Sequence, residues 1–141
     1  MITQGIELKD YGWRVMVYYA VTRYDIDTVM EALHGIGCDG KFAQLAWRNM
    51  SGDKANTGLT YTNYLRKSSV VVIGLTTSAE EFINSFVHET HHLVAHIGKA
   101  VGLDVMGEDI CYLHGELARE MFRACHRLLC DECREELDGL V

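Results

Sequence analysis

SAEEFINSFVHETHHLVAHIGKAVG, residues 78–102, is the stretch that decides how this 141-residue chain folds. Ser78 can accept a hydrogen bond from the backbone three residues on, and Glu81 stands at the matching capping-box position, so a helix starts here. On a wheel of about 100° per residue with His88 at zero, Phe82, Ile83, Phe86, Leu93, Val94 and Ile97 fall between about 120° and 240°. His88 and His92 fall near 0° and about 40°, on the other side. The spacing predicts an amphipathic helix with an apolar side against a sheet and a histidine side toward a cleft, ending at Gly98 or Gly102.

Upstream, residues 13–22 are dense in β-branched and aromatic side chains and predict a strand. Asp25 or Asp27 then caps a helix carrying Ile26, Val29, Met30 and Leu33, which stops at Gly35-Ile36-Gly37. A short helix over about 40–50 and a polar loop over 51–58 lead to two strands, 59–63 and 69–75. Downstream, Asp104 caps a helix with the stripe Ile110, Leu113, Leu117 and Met121, reaching about Leu129. The expectation is one α+β domain over residues 1–141. A small mixed or antiparallel sheet packs on the 79–98 helix, a second helix closes the site, and 123–141 is a helical tail.

A hydrophobic content of 48% suits a folded core, and a formal charge of −7 with no basic run beyond Arg66-Lys67 argues against nucleic acid as a partner. No 18-residue apolar stretch and no signal-peptide pattern is present, so a cytoplasmic protein without a membrane partner is expected. Five cysteines, an odd number, suggest reduced thiols rather than a disulfide framework. Cys130 and Cys133, with Cys125 and His126 before them, offer only a weak second zinc motif beside the plainer reading of a charged tail.

Within the central helix, His88-Glu89-x-x-His92 has the H-E-x-x-H spacing, which puts two imidazoles on one face as ligands for Zn²⁺ and a carboxylate beside them as a general base. A third ligand is needed. His96 is excluded as a partner of His88 in an unbroken helix, because eight residues rise about 12 Å. The longer pattern H-E-x-x-H-x-x-G-x-x-H fails at Ala95 and Gly98. Glu108, Tyr112 and Glu116 recur at i, i+4, i+8 on the following helix. Glu108 is the expected ligand if the first helix stops at Gly98, and Glu116 if it runs on to Gly102. His114 beside the apolar stripe reads as a packed histidine, and His34 and His126 carry no local signal.

With these motifs the chain resembles gluzincin-type metallopeptidases, in which a helix after H-E-x-x-H supplies a glutamate ligand; fifteen residues lie between His92 and Glu108. More narrowly, Ser78-Ala79-Glu80-Glu81-Phe82 before His88-Glu89, and Gly107 to Leu113 after it, resemble small zincin-like proteins of gut bacteria and their phages, over roughly residues 57–122. The resemblance implies His88, His92 and Glu108 as zinc ligands and Glu89 as base. Tyr112 or His91 could steady the oxyanion. It further implies hydrolysis of a peptide or protein substrate, with a non-catalytic, metal-binding interaction module as the alternative. Thr60-Tyr61-Thr62-Asn63 could form an edge strand that pairs with an extended peptide.

Overall fold

A computed structural model describes residues 1–52, 58–129, 131, 132, 135, 139 and 140. Among them are four strands, β1 (Ile2–Leu8), β2 (Trp13–Val21), β3 (Leu59–Asn63) and β4 (Ser68–Gly74). Four α-helices accompany them, α1 (Ile26–Gly35), α2 (Gly40–Ser51), α3 (Ala79–Val101) and α4 (Glu108–Cys125). The sheet is mixed, in the order β1-β2-β4-β3: β2 and β4 run parallel, and the two outer strands pair antiparallel with their neighbours. The fold is α+β.

β4 and the second half of β2 are almost wholly apolar because both of their faces are covered, whereas Arg14 and Met16 leave one face of early β2 exposed. Val15, Val17 and Tyr19 of β2 join Val71 and Ile73 of β4 on the face shared with α3 and α4. Tyr18 joins Val70 and Val72 on the face shared with α1 and α2. Strict alternation would then send Ala20 inward and Val21 back to the first face. Instead Ala20 adopts φ +57° and the register slips between Tyr19 and Val21, so Val21 lands in the α1/α2 core. β1 carried no clear strand signal, since Gly5 interrupts a sequence with only three large apolar residues. Its order comes from a seven-residue register with β2.

α3 starts as its sequence indicates, Ser78 Oγ accepting from Glu81 N at 3.1 Å. It ends at Gly102 rather than Gly98: Gly102 takes φ +77°, and Leu103 N donates to Gly98 O at 2.8 Å. Gly98 serves packing, because a methyl group there would stand 3.0 Å from Ile110 Cδ1 of α4. Leu93 and Ile97 are fully buried, each stabilising the fold by about 1.5–3 kcal/mol. Ile83, expected with them, is half exposed.

α4 begins at Glu108, and Asp104 instead turns the chain before it, accepting from Met106 N at 3.0 Å. The helix gives way to a 3-10 turn at His126 rather than continuing to Leu129. It is anchored over β1 and β2. Gln4 Nε2 donates to Glu120 O at 2.6 Å, and the buried Tyr19 hydroxyl lies 2.7 Å from Gln4 Oε1 and 3.2 Å from Met121 O. Burial, and secondarily Cys125, raise the Tyr19 phenol far above its ordinary range. α3 lies over β4 and β3. Among the described residues, no helix is long and apolar enough to cross a membrane.

Candidate metal centre

The unbroken backbone of α3 sets His88 and His92 one turn apart, with ring centroids separated by 4.9 Å and both side chains exposed. Glu89, between them in sequence, turns inward, and its side chain keeps only 6% of its exposure. A carboxylate so covered needs donors. Thr60 of β3 supplies one, its hydroxyl 2.6 Å from Glu89 Oε2 and 3.3 Å from Glu89 O. The other oxygen, Oε1, lies 3.9 Å from His88 Nε2.

Room for that carboxylate depends on Gly58. A methyl group at this position would stand 2.9 Å from both Cγ and Oε1 of Glu89, and 2.7 Å from Val72 O. Neither Gly58 nor Thr60 was legible as a partner of Glu89. Thr60 is 29 residues upstream, and only the pairing of β3 with β4 brings it beneath α3. The one available hint was the position of Thr60 in the predicted edge strand, and β3 is indeed at a sheet edge.

His96, two turns beyond His88, is half buried. Its Nδ1 is 2.8 Å from Thr62 Oγ1, and its ring centroid is 6.2 Å from that of His92 and 6.0 Å from that of Tyr64. Burial, then the neighbouring His92 and Lys99, lower its pKa below the usual histidine value.

The structure does not bring Glu108 to the histidine pair. Gly98 meets Ile110, His91 faces His114 with centroids 6.3 Å apart, and Thr90 Oγ1 reaches Met121 Sδ at 3.6 Å, which fixes α3 and α4 antiparallel. In that register Glu108 lies level with the helix beyond Gly98, about 12 Å along the axis from His92. Glu116 is closer in depth, but its side chain is exposed. The residues of α3 that meet α4, Thr90, Gly98 and His91, lie at about 200–300° on the wheel. Glu89 and His96, which meet β3, lie at about 80–100°. The midpoint of His88 and His92 is nearer the β3 side. Tyr112 is 72% exposed on α4.

Among the described residues, no three His, Cys, Asp or Glu side chains converge as a ligand set. His88 and His92 thus stand as a pair of neighbouring imidazoles, and the described residues do not complete a metal ligand set around them. The second cysteine motif cannot be placed in the same way, since Cys130 and Cys133 lie outside the described residues. Cys125 is buried in the α3/α4 core, where desolvation pushes its thiol up to about 11 and disfavours the thiolate a metal would require. Comparison of the chain with family models, with curated proteins and with solved structures returns no match.

Proposed function

We propose that this chain is a zinc-dependent, metallopeptidase-like protein acting on a peptide or protein substrate. The observation that carries the reading is the conjunction at α3: a pair of exposed histidines one turn apart, with a buried carboxylate held beside them by the edge strand. A zinc ion held by His88 and His92 would contribute Lewis acidity toward a carbonyl oxygen and toward water. Glu89 is the proton acceptor in this reading. Thr60 fixes its Oε2, leaving Oε1 on the side of His88 to take a proton and return it to a leaving amine. The third ligand belongs to a carboxylate of α4. The run of α3 to Val101 favours Glu116 over Glu108 in depth, and either requires α4 or its side chains to move toward the pair.

The reading without catalysis, a metal-binding module that holds a partner chain, is supported by β3 lying at the edge of the sheet, where an extended chain can pair. Metal analysis of protein purified without an affinity tag separates these readings. One zinc per chain, kept by Glu89→Gln with loss of peptide hydrolysis, supports the enzyme. Zinc without hydrolysis in either protein supports the module, and absence of stoichiometric zinc overturns both.

A further inference from the structure

Behind His96 lies a line of polar groups running into the core. Trp13 Nε1 donates to Ser69 Oγ at 3.0 Å, Ser69 Oγ is 2.7 Å from Thr62 Oγ1, and Thr62 Oγ1 is 2.8 Å from His96 Nδ1. Thr62 and Ser69 are opposed residues of β3 and β4, and Trp13 opens β2. Trp13 and Ser69 are each 1% exposed and Thr62 is 9% exposed, so these groups must satisfy one another.

The direction of the line follows from its inner end. An indole N–H can only donate, so Ser69 accepts there and has one hydrogen left to give. Among the described residues the only other side chain bonded to Ser69 is Thr62, so Thr62 Oγ1 is the acceptor available for that hydrogen. Thr62, once it accepts from Ser69, has its own hydrogen to give to His96 Nδ1. A hydrogen on His96 Nδ1 would instead point at Thr62 Oγ1, and the hydroxyl hydrogen of either Thr62 or Ser69 would then have no partner among the side-chain hydrogen bonds of the described residues.

We infer that the Trp13–Ser69–Thr62 line holds His96 as the neutral tautomer with its hydrogen on Nε2, so that His96 serves the candidate site as a hydrogen-bond donor and not as a metal ligand. Ligation through Nε2 would need a lone pair there and a hydrogen on Nδ1, which reverses the Thr62–His96 bond and takes away the acceptor of a hydroxyl hydrogen in the line. The placement suits a donor to a ligand's carbonyl or carboxylate oxygen. Thr60 and Thr62, two residues apart on β3, hold Glu89 and His96, two turns apart on α3, along one flank. The role at the site rests on the metallopeptidase-like reading; the tautomer does not.

The test is a long-range ¹H–¹⁵N correlation spectrum of the metal-free, ¹⁵N-labelled chain at pH 7.5, with His96 assigned by its loss in His96→Gln. The expected result is a single Nε2–H tautomer for His96, and an Nδ1–H tautomer overturns the inference. Thr62→Val should relax His96 to a mixture, whereas an unchanged pure tautomer would remove the line as its cause. On titration with zinc alone, His96→Gln should bind within about threefold of the parent, and a larger loss makes His96 a ligand. If the parent takes up no zinc, the metal reading fails while the spectrum still decides the tautomer.

Discussion

Glu89 is polar by sequence and buried by position, and the difference is made by two small residues, Thr60 of the neighbouring strand and Gly58 just before it. Thr60 donates to its carboxylate, and Gly58 omits the side chain that would occupy the same space. Gly58→Ala should therefore either force Glu89 out toward His88 or push β3 off β4, since one of the opposing atoms, Val72 O, is backbone and cannot swing aside. Overpacking of this kind costs about 1–3 kcal/mol. Urea denaturation monitored by circular dichroism should show a loss in that range, and a variant as stable as the parent would mean that the contact is not tight. The H-E-x-x-H frame was visible as spacing. The partners of its glutamate were not, because a hydrogen bond across 29 residues leaves no periodic trace.

At the scale of elements, α3 was the most legible part of the chain, because its cap, its apolar arc and its terminal glycine all agree. Its end at Gly102 rather than Gly98 was an open choice in the sequence, and it matters, since it sets the depth at which α4 returns. The seam between the two helices also has a titration. His114 of α4 is half buried against His91 of α3, and burial first, then the charge of His91, lower its pKa. A histidine with a depressed folded pKa leaves stability complete above the unfolded value of about 6.5. As the pH falls below that value, the unfolded chain takes up a proton that the folded chain resists, and stability is lost until the folded pKa is passed. His96 acts in the same direction. The melting temperature should thus drop between pH 7.5 and pH 5, and His114→Gln should drop less. Calorimetry showing an equal or steeper drop in the variant would remove His114 from the account.

Across the described residues the sheet divides two cores, with Leu33 fully buried on the α1/α2 side and Leu117 on the α3/α4 side. Leu33→Ala and Leu117→Ala should each cost about 2–5 kcal/mol. Because β2 and β4 contribute to both cores, each variant should still unfold in one transition, with tryptophan fluorescence and circular dichroism coinciding. Separated transitions would show that the two sides are independent. The sequence by itself determined the α+β class, the strands expected at residues 13–22 and 59–63, the cap and amphipathic face of α3, and the two histidines one turn apart. All of these depend on neighbours within a few residues, where periodicity and propensity act. Only the tertiary structure decided that β1 is a strand, that α1 and α2 cover the second face, that Glu89 and His96 are held by Thr60 and Thr62, and that Glu108 stands apart from the histidine pair. Those outcomes depend on which strand becomes the edge and how deep one helix lies against the next, and both are set by packing between residues remote in the chain.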